Sequence, residues 1–198
     1  MNHKEDGSLS VDAAPNGIYI YRTNMRLYTK NIWNNLWNAE AVGIALKSNN
    51  CRFVISPEEK SSYLTFGGYG TTINNITTTT SQSTAEKDYS GSQNTDKIIT
   101  QLSGNALAAM YCRNVLFKHG KYGYLGSLGE WKESYNQKSE IDSLMSIIGG
   151  EAIRNNKHRW TSTQYDSQRI WVLHWGTGSV ASSAKNDGST WTRAFAQL

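Results

Sequence analysis

Near its C-terminus the chain alternates large apolar residues with a mixed set, and that pattern constrains the fold more than any other. Trp171, Leu173 and Trp175 alternate with Val172 and His174, Gly176-Thr-Gly178 turns the chain, and Val180 resumes. Trp191, Arg193 and Phe195 alternate in a last strand. Successive side chains of a strand point to opposite faces. Trp171, Leu173, Trp175, Val180, Trp191 and Phe195 therefore form one apolar stripe that must be buried against another layer. The intervening positions are chemically miscellaneous: Arg169, Ile170, Val172, His174, Thr177, Ser179, Ala181, Ser182, Ser183, Asn186, Asp187 and Ser189. They fit a display face on a stable scaffold, and they fit equally the solvated side of an ordinary meander.

A chain of 198 residues suffices for one domain with a core of its own. Residues 1–16 read as a polar tail, and 17–198 as the folded domain. No apolar stretch reaches the ~18 residues of a membrane helix, so no membrane insertion is expected. Met1 to Ser10 lacks the apolar core of a secretory leader. The net charge of +4 is scattered without a Lys/Arg run, which argues against nucleic acid as a partner. Eleven Tyr and seven Trp beside many small polar residues suit an adaptable binding surface. Two cysteines, Cys51 and Cys112, are no disulfide framework; their apolar contexts favour buried thiols over a bridge.

Gly17 to Tyr21 reads as a strand. Ala41 to Leu46 and Cys51 to Ile55, split by Ser48-Asn-Asn50, read as a hairpin. Gly67 to Gly91 is rich in Gly, Thr, Ser and Asn and predicts a long surface loop. Asp96 to Leu102 and Ala106 to Arg113 predict short helices. Ser127-Leu-Gly-Glu130 is a capping box. Behind it Trp131, Tyr135, Ile141, Leu144, Met145 and Ile148 keep helical spacing until Gly149-Gly150.

Catalytic chemistry is hard to place. Ser127 has Leu125 where a nucleophile elbow needs glycine. His3, His119, His158 and His174 show no metal-ligand spacing, and no metal or cofactor is expected. Gly67-Gly-Tyr-Gly70 opens no helix, as a phosphate cradle would. Glu130 and Glu133 suit a cap and a solvated face better than an acid/base pair. A hydrolase using Ser127 or that pair is the competing reading; the favoured one is a binding protein and not an enzyme.

Four segments stand in order: Gly123-Tyr-Leu-Gly-Ser-Leu-Gly-Glu-Trp131, Ile147-Ile-Gly-Gly150, Trp160-Thr-Ser-Thr-Gln164 and Thr192-Arg-Ala-Phe-Ala196. This series resembles the variable proteins of diversity-generating retroelements, most closely those of Bacteroides and their phages. The resemblance implies an α+β, C-type-lectin-like domain with two main helices packed on twisted antiparallel strands. It implies a hypervariable surface at about 159–190, written by adenine mutagenesis that turns AAC codons into NNC. Such codons exclude Trp, Lys, Gln, Glu and Met, and Trp171, Trp175, Lys185, Trp191 and Gln197 then belong to the framework. The implied ligand-binding residues are Arg159, Tyr165, Asp166, Ser167, Arg169, Ile170, Val172, His174, Gly176, Thr177, Ser179, Ala181, Ser182, Ser183, Asn186, Asp187, Gly188, Ser189 and Thr190. The implied role is a phage tail-fibre adhesin, a homo-oligomer and by resemblance a trimer, recognising a protein or glycan receptor on a bacterial surface. A bacterial surface or pilus-tip adhesin with the same domain is the alternative. Thr161 and Thr192 depart from the family's Ser and Val. Pro15 and Pro57 stand outside any Glu-Pro-Asn or Gln-Pro-Asp motif, so calcium-bridged sugar binding is not implied. The broader fold also serves formylglycine-generating enzymes, whose reactive cysteine pair has no counterpart near this C-terminus.

Overall fold

A computed structural model describes residues 6–198. Two antiparallel sheets and several helices make a mixed α+β architecture. The larger sheet has seven strands: β1 (Leu9–Ser10), β2 (Gly17–Arg22), β3 (Arg26–Tyr28), β4 (Ala41–Lys47), β5 (Arg52–Ile55), β6 (Tyr124–Leu125) and β10 (Ala194–Ala196). Their order is β1-β3-β2-β4-β5-β10-β6. The smaller sheet has three, in the order β7 (His158–Gln164), β8 (Arg169–His174) and β9 (Val180–Ala184). The helices are α1 (Gln82–Ala85), α2 (Gly91–Leu102), α3 (Leu107–Asn114), α4 (Leu128–Asn136) and α5 (Lys138–Ile147).

Two cores follow from the period of two. On one face of the large sheet Tyr19, Tyr21, Ala45 and Val54 pack with Ile98 and Leu102 of α2 and Ala109 and Cys112 of α3. On the other face Ile18, Ile20, Ile44, Phe53 and Phe195 pack with Trp131 of α4 and Leu144 and Met145 of α5. Phe53 and Phe195, on the adjacent strands β5 and β10, stack with ring centroids 4.6 Å apart.

The expected hairpin is β4–β5, paired from Ile44 opposite Ile55 to Lys47 opposite Arg52. The segment from Gly67 to Gly91 is mostly exposed, pinned by buried Ile73, Ala85 and Asp88. Both cysteines are free thiols; Cys112 is buried and Cys51 half-buried.

Three expectations change. Residues 6–16 are no tail: Leu9 and Ala14 are buried, β1 pairs with β3, and Asp6 accepts from Tyr28 Oη at 2.8 Å. The rest of that segment, 1–5, lies outside the described residues. The run after Ser127 is two helices, broken at Gln137, where φ −113° and ψ 20° leave the helical region. No Gly or Pro marks that break. With α2 and α3 this gives four helices of eight residues or more on two faces, not two main ones. Finally, the last strand joins the seven-stranded sheet between β5 and β6 instead of continuing the β7–β8–β9 sheet.

Candidate functional site

The alternation places the tryptophans as expected: Trp171, Trp175 and Trp191 are all buried. Its other half does not reach solvent everywhere. β8 is wedged between the two cores, so parity sorts its residues into one core or the other. Trp171, Leu173 and Trp175 enter the second core, while Ile170 and Val172 join Trp160 in the first. A strand covered on both faces reads as a continuous apolar run, and Ile170-Trp-Val-Leu173 is one.

Four residues assigned to ligand contact are therefore corrected to interior positions: Arg159, Ile170, Val172 and Thr190, none more than 2% exposed. Arg159 is an interior cation. Its Nε donates to Glu59 Oε1 at 2.8 Å and its Nη1 to Lys157 O at 2.7 Å. Arg193 Nε lies 3.5 Å from the same Glu59 oxygen. Burial, partly offset by Glu59, lowers the Arg159 pKa to about 10, which leaves it charged at neutral pH.

The remaining assigned residues reach the surface between Tyr165 and Ser189, interrupted by the buried residues 170–173, 175 and 185. Arg169, Gly176, Thr177, Ser179, Ala181, Asn186, Gly188 and Ser189 are exposed. Tyr165, Asp166, Ser167, His174, Ser182, Ser183 and Asp187 are half-buried. Gln168, which was not among the assigned residues, is exposed beside Arg169.

Each loop of this surface is held by its own polar side chains. Asp166 Oδ1 accepts from the amides of Gln168 and Arg169 at 2.8 Å each, and Oδ2 accepts from Arg169 Nη2 at 2.6 Å. The Arg169 guanidinium lies 4.3 Å from the Tyr165 ring centre. Asp187 accepts from Ser183 Oγ at 2.7 Å, from the Ser189 amide at 2.9 Å and from Thr190 Oγ1 at 3.2 Å. Asp is suited to such turns because its side chain bonds the backbone two residues on. At the β8–β9 turn a Cβ on Gly176 would come within 2.1 Å of Asn155 O, so only glycine fits there. Behind the surface Lys185 is fully buried, with Nζ donating to Gln164 Oε1 at 2.8 Å and to Thr71 O. Burial pulls its pKa down to about 8.

The surface is rich in hydroxyls and nearly neutral, because Arg169 is paired with Asp166. Clefts of about 260 and 420 Å³ open elsewhere, one beside Gly17, Lys47 and Glu133, the other beside Pro57, Lys118 and Gly150.

Ser127 sits in a different place. It is fully buried and caps α4, and its Oγ lies 2.6 Å from Asp88 O and 3.1 Å from Glu130 Oε2. The Ser127 hydroxyl donates to Asp88 O and, at the longer distance, to Glu130 Oε2. Glu130 also accepts from the Ser127 amide and from Tyr124 Oη, both at 2.8 Å. A Cβ on Gly91 would lie 2.2 Å from its Oε2, so the helix α2 begins with the one residue that admits this carboxyl. Burial raises the Glu130 pKa to about 7. A carboxyl whose folded pKa is raised binds more protons folded than unfolded. Its stabilisation is complete below the unfolded value of 4.5 and is lost as pH rises through about 7. His119 and His158, whose pKa values burial lowers, act oppositely below 6.5. The expected result is that wild type loses on the order of 2 kcal/mol relative to Glu130→Gln between pH 5 and pH 8. Thermal midpoints of both proteins across that range check it; parallel curves would show that Glu130 is ionised throughout.

No protein-family model matches the chain, and no curated protein matches it either. Among solved structures it is similar to a fimbrial protein from Bacteroides ovatus, with a TM-score of 0.71 at 10% sequence identity. The alignment covers 93% of this chain and 49% of the other, so this chain spans about half the length of that protein. At that identity the likeness concerns the fold.

Proposed function

We propose that this protein is a non-enzymatic surface adhesin. It binds a receptor on a bacterial cell through the loops 165–169 and 186–189, the β8–β9 turn and the exposed side of β9. The observation that carries this reading is the contrast within one stretch of chain. Between Tyr165 and Ser189 the surface holds small, hydroxyl-bearing and aromatic side chains, and a packed framework of Trp171, Leu173, Trp175 and Lys185 lies directly beneath. Binding surfaces that adapt to partners use Tyr for rigid area and Ser, Gly and Asn for hydrogen bonds. A site without a deep cleft suits a macromolecular receptor, protein or glycan, better than a small substrate. Burial of Ser127 away from solvent supports binding over hydrolysis.

In its finer form the proposal keeps the sequence resemblance: a diversified display region on a C-type-lectin-like scaffold, in a homo-oligomer. The exposed members of the region belong to types that mutated AAC codons can encode, except Gln168. The buried Trp171, Trp175, Lys185 and Trp191 belong to the excluded types. The fimbrial setting of the structural neighbour favours a bacterial surface filament over the virion tail. The test is binding of labelled chain to whole Bacteroides cells and to a glycan array. The double variant Thr177→Glu/Ser179→Glu is expected to lose at least tenfold in apparent affinity with its thermal midpoint unchanged. Saturable binding that survives this change would move the receptor site elsewhere.

A further inference from the structure

His158 of β7 and His174 of β8 stand directly opposite each other across the antiparallel pair. The next residues out are hydrogen-bonded, Trp175 N to Lys157 O at 3.3 Å. This makes the histidines a non-hydrogen-bonded pair, the closer of the two kinds. Their ring centroids are 5.0 Å apart with the planes at 72°. Both rings are half-buried and open on the β8–β9 turn.

We propose that His158 and His174 form a two-imidazole site for a borderline divalent transition ion of the zinc or nickel type. A tetrahedral ion about 2.1 Å from one nitrogen of each ring holds the two centroids about 5 to 5.5 Å apart. The observed centroid spacing of 5.0 Å falls within that range. A partner that can fix the His174 tautomer is also in place. His174 Nδ1 lies 3.1 Å from Thr177 Oγ1, which is itself 2.9 Å from Ser179 Oγ. With its Nδ1 proton donated to Thr177, His174 leaves the Nε2 lone pair for a metal, as ligating histidines do. His158 makes no side-chain hydrogen bond with a described residue, so its nitrogens are not engaged. Among the described residues no third His, Cys, Asp or Glu joins the pair. The remaining coordination positions therefore face solvent and take water or an oxygen or nitrogen atom of a bound molecule.

This inference does not rest on the adhesin reading, since the metal alone is its probe. The experiment is calorimetric titration of Zn²⁺ into tag-free chain at pH 7.5, with thermal midpoints read in parallel. Wild type and His119→Gln are expected to bind one ion in the shared site and to gain thermal stability with added Zn²⁺. His158→Gln and His174→Gln are each expected to weaken that binding at least tenfold and to lose the gain. Circular dichroism checks the fold of both, and His174→Gln decides the matter if His158→Gln fails to fold. Absence of saturable uptake below millimolar Zn²⁺, or uptake that survives both substitutions, would overturn the proposal and leave the pair an aromatic contact only.

Discussion

Replacing Glu59 with alanine is expected to destabilise the protein by about 3 to 5 kcal/mol, out of the ~5 to 15 kcal/mol that typical domains possess. Its carboxylate is fully enclosed with the guanidinium of Arg159, 2.8 Å away, and that of Arg193, 3.5 Å away. Arg193 donates also to Ser56 O and Glu151 O at 2.9 Å each. One anion thus fastens three separate segments: 56–60, the approach to β7 and the approach to β10. Removing it leaves the two enclosed guanidinium groups without the carboxylate they share, which costs far more than the pair contributes relative to apolar residues of the same shape. Because the group is enclosed, added salt should not rescue the variant. Urea midpoints of wild type and Glu59→Ala, at low salt and in 1 M salt, are the measurement. A midpoint that stays near wild type would mean that water reaches the arginines.

None of this network could be read from the sequence. Glu59 and Arg159 are a hundred positions apart, and the resemblance that implies a variable surface from about 159 onward says nothing of a buried carboxylate partner. The same limit explains Ile170 and Val172. Parity fixes that Ile170 and Val172 point away from Trp171, and the structure agrees. Parity does not say what lies on that side. There Phe66, Ile73 and Trp160 cover the strand: Trp160 comes from β7, and Ile73 from a loop whose composition promised only surface. The continuous apolar run at 170–173 was the available signal that both sides are covered. By contrast the hairpin, the cap at Ser127 and the turn at Gly176 were legible, because each is set by residues close in sequence. His158 as a partner for His174 was not legible: no strand was read at 158–164, and its register with β8 shifts between Trp160 and Gln164.

Trp175→Ala is expected to cost about 3 to 5 kcal/mol and to abolish receptor binding as well. The ring is fully buried, edge-on to Trp131 and Tyr135 with centroids 5.9 Å from each, and its Nε1 donates to Asp142 Oδ1 at 3.1 Å. Truncation leaves a cavity between β8, α4 and α5 that such rigid neighbours cannot close, and it strands Asp142 without that donor. Trp175 is also the residue immediately before the turn, so the cavity opens beneath Gly176 and Thr177. Single substitutions of Thr177, Ser179 or Ala181 face water and should stay within about 0.5 kcal/mol. Ile170→Ala should group with the core, at about 2 to 5 kcal/mol, although it sits one residue from exposed Arg169. Thermal midpoints and receptor affinities measured across these variants separate the two sets. If Thr177 and Ser179 substitutions destabilise as much as Trp175→Ala does, the turn is part of the core and the display surface is lost. If they change affinity at constant stability, β8 holds the framework rigid from within while the turn and β9 remain free to vary.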